Sequence, residues 1–365
     1  MISSVRILDA SEAEAIDAVA SLFMKKGIRL MHSGKQADTA LHYFDRALEL
    51  RRRLPTEVSV YAYGLAACWL NRAEALTCLG PAHHALALRA YDESLALLRP
   101  LPLGDDARFS RRLAIAHQNR ALVLAAQNPL ALADAIVALV DAIAVLDHAE
   151  TMDAAERDDL LAVVWMNLAN LQASEATIVS DLAAREAARR ALALVQAHEH
   201  QDAAAALTGL KSRHVLCQIV ARRLSVQAES ETVMEDVHDA TDLADEGLDL
   251  VRGWERRGID CFRNLASDLF RFGARVYAYY QPHFLDEFIS EQLDPQQSAQ
   301  AFVQSREMRD SAREVVLLAV ADTVKGSKAV SGISGEPALN IPVSTSVLAA
   351  GAPSAIPQIT RSNVK

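Results

Sequence analysis

Ala87-Leu-Arg-Ala-Tyr91-Asp-Glu-Ser94-Leu95 is one of five versions of a single nine-residue pattern. Ala40-Leu-His-Tyr-Phe44-Asp-Arg-Ala47-Leu48 precedes it. Ala135-Ile-Val-Ala-Leu139-Val-Asp-Ala142-Ile143 and Ala184-Arg-Glu-Ala-Ala188-Arg-Arg-Ala191-Leu192 follow it, and Ala240-Thr-Asp-Leu-Ala244-Asp-Glu-Gly247-Leu248 is a degenerate fifth copy. Small residues at the first and eighth positions let two helices approach closely, and a larger fifth residue fills the groove between neighbours. A helix that needs one small and one bulky edge, written again and again, is half of a stacked helical hairpin.

The other half lies upstream of each copy. Asn-x-Ala occurs as Asn71-Arg-Ala73, Asn119-Arg-Ala121, Asn167-Leu-Ala169 and Asn264-Leu-Ala266, with separations of 48, 48 and 97. The last gap is two periods plus one, and His214 stands near the missing copy. Stepping back 46 from Asn71 reaches Lys25, with Gly27 at the Ala position. An aromatic ring precedes by two at Phe23, Trp69, Trp165 and Phe262, with His117 in its place once. Breakers fall between the halves at Ser33-Gly34, Leu54-Pro55, Gly80-Pro81, Arg99 to Gly104, Asn128-Pro129 and Thr151 to Asp153, then at Gln281-Pro282 and Asp294-Pro295. Gly or Asn ending one helix and Pro starting the next is ordinary stop-and-start chemistry.

Together these features resemble the tetratricopeptide repeat (TPR) family. Trp69, Ala73 and Gly80 match its helix A, and Ala87, Tyr91 and Leu95 its helix B. Gly27, Gly34, Ala40, Phe44, Ala47 and Leu48 match in the first repeat. The period of about 48 exceeds the usual 34 of the family. Long repeats with Asn in helix A look like the kinesin-light-chain-type subgroup. The resemblance spans about residues 15 to 280 and weakens in the fifth repeat, which carries an acidic extension from Glu229 to Asp236. It implies an all-α, right-handed solenoid of about six hairpins over residues 11–293. An amphipathic helix at 294–324 is expected to cap its open end, and a disordered tail is expected at 325–365, where Gly, Ser, Pro and small apolar residues take over.

Composition agrees with a helical array. Of 365 residues 51% are hydrophobic, only 5% are aromatic, and Gly (14) and Pro (11) are scarce. Ala and Leu supply most of the apolar content and both favour helix. A net charge of −10 argues against a general nucleic-acid binder, which needs surplus Lys and Arg. There is no charge-free apolar run of about 18 residues, so no membrane span is expected, and no secretory signal is read at the N-terminus. Cys68, Cys78, Cys217 and Cys261 form no close pair, so each reads as a buried small hydrophobe in a cytoplasmic protein. No nucleophile elbow, P-loop, dinucleotide fingerprint or HExxH stands in the chain. The reading is therefore non-enzymatic, with no cofactor and no metal. His83-His84 and His198-Glu-His200 lack a third ligand at short spacing. The sequence sets no oligomeric state.

In the family, helix A lines the inner wall of the superhelix, and an Asn there resembles a ladder that hydrogen-bonds an extended peptide. A carboxamide both donates and accepts, as a peptide backbone requires. Adjacent helices lie ~10 Å apart and an extended chain advances ~3.3 Å per residue, so each rung would meet about every third residue. The alternative is that these Asn side chains fix the packing of neighbouring helices. The candidate binding residues are Asn71, Asn119, Asn167 and Asn264, with Lys25, Gln118, Asn170, Arg263 and Arg271 beside them. The resulting expectation is a scaffold or adaptor that holds a protein or peptide segment in a concave groove. Two further readings stay open: a regulatory sensor closing on a small signalling peptide or metabolite, and a cytoskeleton-associated adaptor. The runs Arg51-Arg52-Arg53, Arg189-Arg190, Arg222-Arg223 and Arg256-Arg257 read as solvated faces near helix ends.

Overall fold

The computed structural model describes residues 9–33, 36–226, 231–259 and 261–280. These form α1 (Ala10–His32), α2 (Ala37–Arg51), α3 (Ser59–Cys78), α4 (His84–Leu98), α5 (Ala107–Gln127), α6 (Leu132–Asp147), α7 (Ala154–Ser174), α8 (Ile178–Val195), α9 (Ala203–Val226), α10 (Glu231–Glu255) and α11 (Arg263–Tyr280). Short 3-10 turns, Pro81–His83 and Pro129–Ala131, lead into α4 and α6. No strand occurs among the described residues. The expected end of the array at 281–293, the capping helix at 294–324 and the tail at 325–365 lie outside them.

The odd-numbered helices begin at residues 10, 59, 107, 154, 203 and 263, in steps of 49, 48, 47, 49 and 60. The period read from Asn-x-Ala is thus a period of helix starts, stretched only at the last step. The chain divides into two compact units between Asp153 and Ala154. In the first, α1/α2, α3/α4 and α5/α6 are hairpins, α2 packs on α3 and α4 on α5, and the odd helices touch in the order α1, α3, α5. In the second, α7/α8 and α9/α10 are hairpins, α8 packs on α9 and α10 on α11, and α7, α9 and α11 touch in sequence. Stacked hairpins in each unit are what the repeated pattern requires.

The even helices bury one face and it is the patterned one. Ala40, Phe44 and Ala47 in α2, Ala87, Tyr91 and Ser94 in α4, and Ala135, Leu139 and Ala142 in α6 have essentially no exposed surface. Ala184, Ala188 and Ala191 in α8 are equally enclosed. The first hairpin closes most tightly at Gly27, where a Cβ would stand 2.4 Å from Phe44 Cε1. Phe44 is fully buried and cannot turn aside. Gly27→Ala is therefore expected to destabilise the first unit by about 1–3 kcal/mol, the usual cost of overpacking, despite the higher helix propensity of Ala; thermal unfolding measures it.

Most odd helices are enclosed on nearly every side. From Gly64 to Thr77 in α3 only Trp69 and Arg72 keep appreciable exposure, and α5 is similar from Leu113 to Leu124. A helix apolar all round belongs in a core, and Ala and Leu surround these. Two partly exposed ion pairs repeat in register: Arg72 Nε–Asp45 Oδ1 at 2.7 Å and Arg120 Nε–Asp92 Oδ1 at 2.7 Å. Each ties an even helix to the following odd one. Such pairs contribute only ~0–1 kcal/mol, so they set register more than stability.

The breaks at Pro55, Gly80-Pro81, Arg99 to Gly104, Asn128-Pro129 and Thr151 to Asp153 all separate helices. Gly80, at φ 101°, takes the left-handed conformation that ends α3. Two further breaks, like the one at Thr151 to Asp153, carry no Gly or Pro. Before α8, Ala176 adopts φ 53°, and Thr177 and Ser180 cap each other's backbone N–H. Before α9, Asp202 Oδ1 accepts from the N–H of Ala204 and Ala205 at 2.8 and 2.9 Å.

Candidate functional site

The Asn residues of the three middle repeats occupy matching places. Asn71 and Asn119 are the thirteenth residues of α3 and α5, and Asn167 is the fourteenth of α7. They expose 4, 4 and 7% of their surface. Asn71 Nδ2 donates to Ala67 O of its own helix at 2.8 Å. Asn119 Nδ2 donates to Glu74 Oε1 on α3 at 3.0 Å. Gln118 is buried beside it. Burial of all three, and the internal bonds of Asn71 and Asn119, favour the packing role over a solvent-facing ladder. Asn264 is out of register: it is the second residue of α11 and is exposed. Its match to Asn-x-Ala does not place it mid-helix like the others. Lys25 is exposed on α1.

Glu74 is the unusual group of the first unit. Desolvation lifts its carboxyl to about 8, against the opposing pull of Arg112 and the Asn119 hydrogen bond. Arg112 itself lies 4.4 Å over the Tyr63 ring. A carboxylic acid protonated near neutrality is both donor and acceptor, which suits a wall made of carboxamides.

In the second unit the odd helices carry a half-buried polar string. His214 Nε2 on α9 lies 3.3 Å from Gln218 Nε2 and 3.8 Å from Asp268 Oδ2 on α11. Arg271 Nη1 reaches Asp268 Oδ1 at 3.5 Å. Burial lowers the His214 pKa, with Asp268 opposing. Asn170 is half-buried on α7. Arg263 is exposed, with Nε 3.3 Å from Glu255 Oε1. The string offers donors, acceptors and, at Arg271 and Arg263, exposed guanidinium groups, which is binding chemistry. No nucleophile stands beside a base within it.

The arginine runs correct one expectation, because Arg51 is not solvated. Its Nε donates to Asp17 Oδ1 at 2.8 Å, its Nη1 to Gly64 O at 2.8 Å and its Nη2 to Ser21 Oγ at 2.9 Å, so it joins α2 to α1 and α3. Arg222 reaches Asp181 Oδ1 at 2.6 Å and also donates to Ala173 O. The isolated Arg213 is buried too, in a two-pronged pair with Glu199: Nη1–Oε2 is 2.7 Å and Nη2–Oε1 is 2.8 Å. Trp254 Nε1 donates to the Glu199 carbonyl at 3.1 Å. Glycine opposite the guanidinium was the available signal. A Cβ at Gly64 would sit 3.1 Å from Arg51, and one at Gly209 would sit 2.2 Å from Glu199 Oε2. The cysteines divide: Cys68 and Cys217 are buried as expected, but Cys78 and Cys261 are exposed.

Among the described residues no three His, Cys, Asp or Glu side chains are grouped to hold a metal ion. His198 Nε2 instead meets Asp159 Oδ1 at 3.0 Å. No described helix is long and apolar enough to cross a membrane. An open groove of about 410 Å³ lies over Trp69 between α2 and α4, where Arg52 and Arg72 stack 4.9 and 5.7 Å from the indole. No protein-family model matches the chain, and no curated protein matches it.

Proposed function

We propose that the chain is a TPR-like, right-handed α-solenoid of the long-repeat, kinesin-light-chain-like kind, acting as a non-enzymatic scaffold or adaptor for an extended peptide or protein segment. The stacking of hairpins at a period of about 48, with Asn at one place in three consecutive odd helices, supports this reading most. The buried Asn71, Asn119 and Asn167 serve packing, with Asn119 tying α5 to α3 through Glu74. Contact with the segment falls to the accessible polar groups of that wall. In the second unit these are Asn170, Gln218, Asp268 and Arg271, with Arg263 nearby; in the first, Lys25 is accessible. A segment with an acidic residue facing Arg271 and a neutral backbone against Asn170 and Gln218 fits this chemistry.

Binding to an array of extended peptides, followed by fluorescence anisotropy on the hits, tests the proposal. Asn170→Ala combined with Arg271→Glu is expected to lower affinity at least tenfold with helix content and Tm unchanged. Asn167→Ala is expected to lower Tm instead. Peptide hits whose affinity ignores the first variant would remove the wall of the second unit as the binding surface.

A further inference from the structure

Helix α6 differs from the other even helices at two mid-helix positions of its exposed face, although α8 also exposes Ile178, Val179 and Leu182 near its start. At the register of Val137 and Val140 those helices carry His42 and Asp45, Arg89 and Asp92, Glu186 and Arg189, and Asp242 and Asp245. Val137 and Val140 are 58% and 49% exposed, and Leu130, in the turn before the helix, is 91% exposed. Ala133 and Ala144 are exposed as well. The spacing 130, 133, 137, 140, 144 is the three-four alternation of a helix–helix seam. At 3.6 residues per turn and 1.5 Å per residue the four positions within α6 (133, 137, 140 and 144) keep within about 60° of arc and run about 17 Å, and Leu130 stands ahead of them in the 3-10 turn.

One edge of this stripe is acidic. Asp134 and Asp141 lie about 40–60° to the same side of Val137. No ion pair involves Asp134 among the described residues. Among the described residues Asp141 has only His117 Nδ1, at 3.7 Å, and burial pushes the His117 pKa down to about 4, so this imidazole is neutral at pH 7 and leaves the carboxylate uncompensated. A second copy laid antiparallel on the same stripe would set these aspartates against their own counterparts, and an anionic lipid surface would be repelled in the same way. The small Ala133 and Ala144 permit close approach of a helix backbone.

We infer that the α6 stripe is a docking surface for an amphipathic helix of a partner protein, one whose apolar seam is bordered by Lys or Arg facing Asp134 and Asp141. The recognition is helix against helix, with the seam giving contact and the charged edge giving orientation. It involves none of the residues proposed to bind an extended segment.

The probe is a synthetic amphipathic helix of about four to six turns built from Leu and Lys, titrated against the full-length chain by anisotropy, with a Leu/Glu peptide of the same pattern as counterpart. The chain is expected to bind the Leu/Lys helix and not the Leu/Glu helix. Leu130→Glu with Val137→Glu is expected to weaken binding at least tenfold, although it makes the protein more acidic. Asp134→Lys with Asp141→Lys is expected to weaken the Leu/Lys helix by a similar factor and admit the Leu/Glu helix. All four positions are exposed or helix-edge, and circular dichroism of the variants should be unchanged. Affinity that follows net charge alone, rising in the double Glu variant, overturns the inference. So does sedimentation showing a dimer that the same variant dissociates, because the occupant would then be a second copy.

Discussion

Arg213→Met will cost the second unit about 3–5 kcal/mol, the loss seen when one partner of a buried ion pair is removed. Arg213 and Glu199 each expose about 2% of their side chains. The substitution strands the Glu199 carboxylate, with Gly209 packed against it and Trp254 bound to its carbonyl. The more distant Glu246 Oε2, 3.2 Å from Arg213 Nη2, is half-exposed and loses little. Adding Glu199→Met to the same chain is expected to recover most of the deficit, because an apolar pair of similar volume needs no compensation. Urea unfolding followed by circular dichroism and tryptophan fluorescence reads both. A single Met variant as stable as the parent would show that the pair is not desolvated, and the double variant has no bearing in that event.

Glu74→Gln gives the second large effect, and it depends on pH. The folded carboxyl titrates at about 8, against an ordinary value of 4.5. The folded state therefore retains a proton that the unfolded state releases above pH 4.5. Stability is greatest below that value and falls by about 1.4 kcal/mol per pH unit until the folded group ionises near pH 8. Gln keeps the acceptor for Asn119 Nδ2 and has nothing to ionise. The variant is thus expected to exceed the parent by about 3 kcal/mol at pH 7 and by less than about 1 kcal/mol at pH 5. Denaturant titrations at these two pH values provide the comparison. A difference that does not change with pH would mean that Glu74 is already ionised in the folded protein.

The fold was largely legible, and for a local reason. Whether Ala40, Phe44 and Ala47 face one way along a helix depends only on 3.6 residues per turn, and their recurrence near 87, 135 and 184 states the period without any long-range knowledge. Helix starts at steps of 47 to 49 repeat that reading. The turns before α8 and α9 were not legible, since Ala176 at φ 53° and the Asp202 cap rest on local backbone conformation and hydrogen bonds rather than on breaker residues. Asn264 misled because a tripeptide has no memory of its distance from the helix start. Arg51 misled because a run of three arginines looks solvated until Asp17, Ser21 and Gly64 are brought around the first of them.

Periodicity along the chain was enough to specify an all-helical protein of repeated hairpins and to mark which residues of α2, α4, α6 and α8 turn inward. Only the packed arrangement decided that Asn71, Asn119 and Glu74 are enclosed, that Arg213 is paired with Glu199, and that Val137 is left facing water. The reason lies in range. Apolar burial follows from the turn angle of one helix, while the state of a polar side chain depends on partners such as Glu74 for Asn119, 45 residues away, whose approach no local pattern records.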